Sequence, residues 1–484
     1  MRLHRPVSAL VAVAAIVLLG GSSVRRNTHV ASAASLHSTV GSRVARQPAG
    51  SNGGLFDSYS PVSPHWPHIR TMVTDFRTGY VANAAQRTAE VAWNAAHYDY
   101  VMSGDAATYH ARNRNIHILP YALDWNVMQP RVKGSSASLA SGYYDDMVAW
   151  FARHPGFRLE DAFLHVAGQP KSSVSRVAFV AWGSARWALN PGDSALRAYQ
   201  VDRIRRLAEG NDGVFFDSHS SGDVWRGIGK HPLLEYPDHS RYEQDLVGLV
   251  RAIAAGIAPK TMMINTAEYM RPFDQEMILA AGAVHLERMN SPLNSGMTER
   301  WRWVDTLLTH HVLVELVPLS SWDEANSNVG VFRRWTAGDS PSKAARLTMW
   351  ELASYYLLVP KEPDLLLLAL QNAWKVPFSQ VWLGAQETNI GHPLAARRVY
   401  LGGKDPLGNG FTVWARDFDR ALVLVRPTGG WKDQRFDDST AVTVPLPDSA
   451  RWRRLLANGR LGDTVTAVRL RNAESAIVVN AAAH

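Results

Sequence analysis

The chain of 484 residues contains no cysteine. This absence excludes disulfides, thiol nucleophiles, cysteine-based zinc sites and a lipid anchor on an N-terminal cysteine. It is compatible with export, because a chain of this length buries enough surface to be stable without covalent cross-links. The sequence also lacks a G-x-S-x-G serine elbow and an H-E-x-x-H metal motif. We therefore expect neither serine-hydrolase chemistry nor a metal or other cofactor.

A hydrophobic run long enough to cross a membrane is also missing near the N-terminus. The apolar stretch 7–21 has 15 residues, against the roughly 18 to 20 that a transmembrane helix requires. It follows a positively charged start and precedes a small-residue cleavage site at 31–33, which predicts a signal peptide over residues 1–33. We expect a secreted or extracytoplasmic protein with no stable membrane insertion after cleavage. Arg25 and Arg26 are atypical before a cleavage site, so an uncleaved N-terminal membrane anchor is the alternative.

The composition favours a globular protein, with 46% hydrophobic and 19% charged residues. The formal net charge of +8 raises the question of nucleic acid. The basic residues are scattered, however, and their densest groups, 203–206 and 451–454, are short. We expect no nucleic-acid partner. The positive charge is better explained by a mild attraction to acidic glycans or to the cell envelope.

The order of apolar and polar segments predicts the architecture. Residues 34–68 are rich in Ser, Gly, Pro and Arg without periodicity, which predicts a flexible linker. From 69 to 388, short apolar runs alternate with longer amphipathic segments. The runs predict strands near residues 98–103, 116–123, 162–166, 214–217, 262–265, 283–287, 313–318 and 355–359. Helices are predicted over residues 82–96, 143–153, 195–209, 241–256, 298–310 and 342–355.

Alternation of about eight strand–helix units predicts an α/β fold, a (β/α)8 TIM barrel over residues 69–388. An open doubly wound sheet is the rival, but the sequence has no glycine-rich loop after its first predicted strand. After about residue 389 the chain changes to short β-rich runs separated by Gly, Pro, Asn and Asp. This texture predicts a small all-β sandwich domain over residues 389–484.

Acidic residues at predicted strand ends carry the functional hypothesis. The C-terminal ends of parallel barrel strands converge on one face, where acids that are distant in sequence can meet. Asp217 follows the apolar run 214–216, and Glu287 and Glu268 follow two later strands. Glycosidic hydrolysis needs one ionised and one protonated carboxyl group. We predict Asp217 as the ionised group and Glu287 as the general acid, with Glu268 as its rival; caps and ion pairs are the structural alternatives.

Five further residues are predicted to bind substrate because they lie near the same strand ends. An acid beside an aromatic ring suits a sugar, since the acid binds hydroxyls and the ring stacks on C–H surfaces. Each ring could equally be packed in a loop, and Asn265 could instead donate a hydrogen bond to a carboxylate. The five are Asp124, Trp125, His219, Asn265 and Trp322.

The segment from Asn190-Pro191 through Tyr199 to Asp212-Gly213-Val214-Phe215-Phe216-Asp217 resembles bacterial glycoside hydrolases that join a TIM barrel to a C-terminal β-sandwich. The resemblance spans roughly residues 90 to 480 and includes 118–121, 283–287, 354–358 and 390–393. The chain is also distantly similar to α-galactosaminidase barrels, whose acids follow strands four and six. The resemblance implies that Asp217 is the strand-four acid, that Glu287 is the later acid, and that hydrolysis retains anomeric configuration.

The sequence thus predicts a secreted glycoside hydrolase acting on a polysaccharide or oligosaccharide through two carboxylates. One alternative is a non-catalytic glycan-binding protein on a degenerate TIM barrel, without a correctly spaced acid pair. The other is a structural envelope protein in which the acids form ordinary ion pairs. The sequence leaves the sugar, the linkage and the oligomeric state open.

Overall fold

The computed structural model describes residues 69–75, 78, 81–130, 140, 142–181, 183–219, 221–229, 231–266, 271–286, 296–317, 343–360, 365–369, 382, 384–428, 438–448 and 451–483. The predicted signal peptide 1–33 and linker 34–68 lie outside these residues. Within the described part of the chain, no helix is both long and apolar enough to cross a bilayer.

The strands and helices of these residues are numbered in chain order. The strands before residue 390 are β1 Arg70–Thr74, β2 Tyr100–Met102, β3 His117–Leu119, β4 Tyr121–Ala122, β5 Asn126–Met128, β6 Ala178–Ala181, β7 Ser184–Ala188, β8 Gly213–Phe216, β9 Thr261–Asn265, β10 Gly282–Leu286, β11 Leu313–Leu316 and β12 Leu366–Ala369. The later strands are β13 Arg398–Lys404, β14 Gly410–Asp417, β15 Ala421–Arg426, β16 Val442–Pro445, β17 Trp452–Leu455, β18 Leu461–Val465, β19 Ala467–Leu470 and β20 Glu474–Asn480. The helices are α1 Ala84–His97, α2 Ala106–His110, α3 Tyr144–Arg153, α4 Ser194–Ala208, α5 Ser221–Ile228, α6 His239–Ile257, α7 Pro272–Ala281, α8 Met297–Thr309 and α9 Lys343–Leu358.

The main sheet is an all-parallel barrel. Its strands run in the order β3-β2-β1-β12-β11-β10-β9-β8-β4. The two terminal segments, β3 and β4, are separated by Pro120 alone, so they are two halves of one strand. Because proline interrupts hydrogen bonding along a strand, the first half pairs with β2 and the second with β8. The sheet therefore closes as eight strands, which confirms the predicted (β/α)8 TIM barrel.

Two predicted strands were wrong, although the predicted number of barrel strands was right. Residues 162–166 follow a 3-10 turn and form only isolated bridges outside the barrel. Residues 355–359 lie at the end of α9 rather than in a strand. The actual first and eighth strands, β1 and β12, were missed. Asp217 still follows the fourth barrel strand, because one missed and one spurious strand precede it.

An insertion separates the third barrel strand from α4. It contains the antiparallel sheet β5-β7-β6. Its apolar core, which includes Val127, Trp150 and Phe163, is shared with Tyr199 of α4. The insertion lies on the side of the barrel where the third strand ends, so its first residues border the mouth.

The C-terminal strands form the predicted all-β sandwich. A six-stranded antiparallel sheet, β13-β14-β15-β20-β17-β18, faces the two-stranded sheet β16-β19. Alternate residues of β15 divide between two cores, as a period of two requires. Leu422 and Leu424 join the sandwich core, whereas Val423 and Val425 join the core shared with the barrel helices.

The β-sandwich also caps a helix of the barrel. Arg416 of β14 donates to the carbonyl oxygens of Tyr356 and Leu357 at 3.1 and 3.2 Å, and also to that of Val359. These carbonyls lie in or just beyond the last turn of α9, where no later amide of the helix can reach them. A side chain from the sandwich thus satisfies the C-terminal end of α9.

Candidate active site

The interior of the barrel changes from apolar to polar towards its mouth. Phe215, Met263, Ala283 and Leu313 are register neighbours on consecutive strands and form part of one buried apolar cluster. Two residues further along the chain from each of these, on the same face of the sheet, lie Asp217, Asn265, His285 and Glu315. Strand C-termini are where barrel enzymes place their reactive groups. We call these four residues the polar layer.

Asp217 is held by three hydrogen-bond donors. The Ser218 amide and the Asn265 Nδ2 each donate to Oδ1 at 2.8 Å, and the Tyr121 hydroxyl donates to Oδ2 at 2.7 Å. Each partner donates, so the set complements a carboxylate rather than a carboxylic acid. The Asp217 side chain is half-buried, whereas the strand that carries it is fully buried. A rigid strand therefore presents an oriented carboxylate to the barrel mouth.

The turn after Asp217 is fixed in an uncommon conformation. Ser218 has a φ of 64°, in the left-handed region that residues other than glycine seldom adopt. The Trp125 Nε1 donates to the Ser218 carbonyl at 2.8 Å, and the His219 amide donates to the Asn265 carbonyl at 2.9 Å. These contacts turn the chain back beneath Asp217 and hold it there.

Asp124 and His219 form a fully buried ion pair under this turn. The His219 Nε2 lies 2.9 Å from the Asp124 Oδ1, and both side chains are 0% exposed. The opposite ring nitrogen, Nδ1, lies 3.1 Å from the carbonyl oxygen of Asp217. Both nitrogens face acceptors, so both bonds form only with the doubly protonated ring. Burial lowers the pKa of His219, but the charge and hydrogen bond of Asp124 outweigh it, and the pKa lies above its ordinary value.

The burial of Asp124, Trp125 and His219 corrects the substrate-binding role predicted for them. Trp125 is 1% exposed and stacks on Phe179 with ring centroids 5.6 Å apart, so neither face is offered to a sugar. The two charged residues are sealed completely. All three support the Asp217 turn from behind. Trp125 and His219 bond the backbone carbonyls of Ser218 and Asp217, and Asp124 holds His219 in place.

Asn265 follows the second of the two alternatives drawn from its sequence. Its amide donates to the carboxylate of Asp217 and is 6% exposed. Three other candidates, Glu268, Glu287 and Trp322, lie outside the described residues. Along the chain, Glu287 comes directly after Leu286, the last residue of β10. Their predicted roles remain predictions.

Three polar residues of the mouth were not among the predicted site residues. Tyr121 contacts Asp217, and the His285 Nδ1 lies 2.5 Å from the Glu315 Oε2. His285 and Glu315 are single polar residues within apolar strands, 283–286 and 313–316. In a parallel strand the flanking apolar residues normally continue the run. The sequence did contain a signal for both residues. His285 and Glu315 each interrupt an apolar strand two positions after a residue that points into the barrel, so they point into it as well.

Among the residues that the structure describes, no group of three or more His, Asp or Glu side chains is arranged to hold a metal ion.

Comparisons with known proteins give distant structural similarities. No protein-family model matches the chain, and no curated protein matches it. Among solved structures, Amy13B of Eubacterium rectale is 9% identical with a TM-score of 0.46, covering 89% of this chain and 98% of that chain. An α-amylase from Geobacillus thermoleovorans is 9% identical with a TM-score of 0.41, covering 84% and 97%. The GH36 α-galactosidase AgaA from Geobacillus stearothermophilus is 12% identical with a TM-score of 0.40, covering 85% of this chain and 56% of that chain.

Proposed function

We propose that the protein is a glycoside hydrolase that cleaves a polysaccharide or glycoconjugate by a two-carboxylate mechanism with retention. Asp217 is the nucleophile and Glu287 the general acid, with Glu268 as the alternative acid. The proposal includes secretion, because the N-terminal 33 residues have the pattern of an export signal.

The observation that carries the proposal is the environment of Asp217. Its carboxylate is half-buried at the end of the fourth barrel strand, and three donors fix its two oxygens. A carboxylate that only stabilised the fold would more often bond a cation or cap a helix. Asp217 does neither in the described contacts. It is instead oriented by neutral donors, as an attacking group must be.

The two oxygens of Asp217 have different surroundings. Oδ1 accepts two hydrogen bonds, one of them from the backbone of the adjacent residue, and is the anchored oxygen. Oδ2 accepts from the Tyr121 hydroxyl, whose rotation can release it. We assign Oδ2 as the oxygen that attacks the anomeric carbon. The general acid protonates the leaving oxygen, and water then hydrolyses the glycosyl-enzyme ester with the same residue acting as base.

Replacement of Asp217 with Asn tests the proposal. Wild type is screened against 4-nitrophenyl glycosides and polysaccharides, with product configuration followed by NMR. We expect Asp217→Asn to lose activity by on the order of a thousandfold while binding persists. Asp212→Asn is the matched control, because Asp212 precedes the N-terminal end of the same strand, bonds His110 at 3.0 Å, and lies far from the mouth.

The possible results separate the hypotheses. A wild type that binds glycans without cleaving them indicates the glycan-binding alternative. Equal activity in the two Asn variants contradicts the role of Asp217. Retention of configuration supports a carboxyl separation of about 5 to 5.5 Å, whereas inversion indicates about 6.5 to 9.5 Å and removes the covalent step.

A further inference from the structure

His285 and Glu315 form a buried pair that the proposed chemistry does not use. They face each other on neighbouring strands as Cα partners, and the His285 Nδ1 lies 2.5 Å from the Glu315 Oε2. The His285 side chain is 8% exposed and the Glu315 side chain 1%. Of the two, His285 keeps the larger contact with solvent, and Glu315 lies behind it.

The pair belongs to the same layer as Asp217. Asn265, which donates to Asp217, is the Cα partner of His285 on the strand between them. The His285 ring packs edge-on against Phe215, with centroids 5.1 Å apart. Phe215 lies two residues before Asp217 on the same face of β8. The imidazole therefore lies in the barrel interior, just above the apolar layer and beside the Asp217–Asn265 bond.

Stability alone does not account for this pair. The layer below is filled by Met263, Ala283 and Leu313, so apolar side chains pack this interior well. A buried ionisable pair is often no more stabilising than apolar residues of similar volume, because both groups lose their hydration. The pair lies at the C-terminal ends of barrel strands, where such folds place their reactive and binding groups.

We infer that His285 contacts the substrate through Nε2 and that Glu315 is the residue that positions it. This inference rests on the proposed function and adds the ligand group concerned, a hydroxyl of the sugar unit bound at Asp217. The bond to Glu315 uses Nδ1 and directs Nε2 away from the carboxylate. A hydroxyl suits Nε2 in both protonation states of the ring, because a hydroxyl both donates and accepts hydrogen bonds.

Two substitutions of His285 separate contact with substrate from support of the fold. Asn places its amide where Nδ1 stands and can keep the bond to Glu315, but it removes the Nε2 group. Gln reaches the Nε2 position but gives up the Nδ1 geometry. If His285 only supports the fold, His285→Asn should lose less affinity for the glycoside than His285→Gln. If His285 contacts the substrate, His285→Gln should lose less.

Affinity is measured in the Asp217→Asn background, so that turnover does not interfere. The probe is the 4-nitrophenyl glycoside that binds most tightly among those of the common hexoses and 2-acetamidohexoses, together with its monodeoxy analogues. We expect His285→Asn to weaken binding about 10- to 100-fold and His285→Gln by only a few fold. One monodeoxy analogue should bind the parent and the His285→Asn protein equally. Glu315→Gln should give a smaller loss, and the control His110→Asn none.

Parent-like affinity in His285→Asn, or a larger loss in His285→Gln, overturns the inference. Should the Asn variant not fold, ¹⁵N-histidine spectra of the Asp217→Asn protein decide. The Nε2 resonance of His285, assigned by its absence from His285→Gln, must shift on saturation with the glycoside, and an unchanged resonance refutes the contact. In another outcome, wild type binds the glycoside without cleaving it while His285→Asn still loses more affinity than His285→Gln. That result refutes the proposed hydrolase activity but not the contact between His285 and the ligand. If no glycoside binds the parent, both fail.

Discussion

Replacing Asp124 with Asn removes one charge from the buried pair under the Asp217 turn. Both partners are 0% exposed, so water cannot replace the lost interaction. If His219 stays charged, an uncompensated buried imidazolium costs about 3 to 5 kcal/mol. If it releases a proton, one of its two ring nitrogens no longer donates, and a buried acceptor is left unsatisfied at about 1 to 3 kcal/mol. The variant takes the cheaper of the two states, so we expect the free energy of unfolding to fall by about 1 to 3 kcal/mol.

Urea titration followed by tryptophan fluorescence and circular dichroism measures this loss. The control is Asp212→Asn, which alters a His–carboxylate pair whose side chains are both 29% exposed. This pair is half-buried, so water can partly replace it, and the Asn oxygen can still accept from the Ile118 amide that Asp212 binds at 2.8 Å. We expect a loss of about 1 kcal/mol or less. The reasoning about burial is refuted if the two variants lose the same amount.

The buried Asp124–His219 pair also makes the free energy of unfolding depend on pH. The pKa of His219 is raised in the folded state by Asp124, against the opposing effect of burial. The contribution of the pair is therefore complete below the unfolded value of about 6.5, and it is lost as the pH rises through the folded pKa. Urea midpoints of wild type measured from pH 6 to 9 should decline on the alkaline side. In Asp124→Asn this decline should be much smaller, and an equal decline in both proteins would contradict the assignment to His219.

Three further predictions concern other contacts. Tyr121→Phe removes the donor to the Asp217 Oδ2, and we expect the kcat/KM of the hydrolase to fall about 10- to 100-fold with little change in unfolding free energy. Arg416→Ala removes the donor to the last carbonyls of α9, which should cost about 2 to 4 kcal/mol in urea titration, with Arg416→Lys recovering part of it. Gly391→Ala would place a Cβ 1.2 Å from the Asp419 Oδ1, at a residue whose φ is 85°. We expect the free energy of unfolding, measured by heat or urea, to fall by about 1 to 3 kcal/mol. An unchanged unfolding midpoint would refute the close approach.

The fold was predictable where a strand is buried on both faces and sharply bounded. Residues 213–216 are such a case, because Asp212-Gly213 turns the chain into a short apolar run. The end of α9 misled the same reasoning. Residues 351–358 are buried on every side, between the barrel and the six-stranded sheet. A helix buried all round loses its amphipathic period, so its last turn resembled a strand.

The site was predictable in position but not in the role of each residue. Sequence order shows that Asp124, Asp217 and Asn265 lie at or just beyond the ends of barrel strands, and the structure brings these three residues to one place. It does not show which way a side chain turns after the strand ends. The left-handed Ser218 directs His219 inward to Asp124, and no pattern of residue types reveals that. His285 was missed because apolar neighbours on both sides made it part of the run.

The capping of α9 by Arg416 has a consequence for how this molecule can be cut and recombined. Domains of one chain are commonly joined through exposed linkers that few contacts cross. Here the sandwich satisfies the C-terminal carbonyls of α9 and covers the apolar face of that helix. Fusion or truncation designs should keep residues 343–483 together with the barrel, because a break near residue 390 exposes the apolar face of α9, the helix between the seventh and eighth barrel strands.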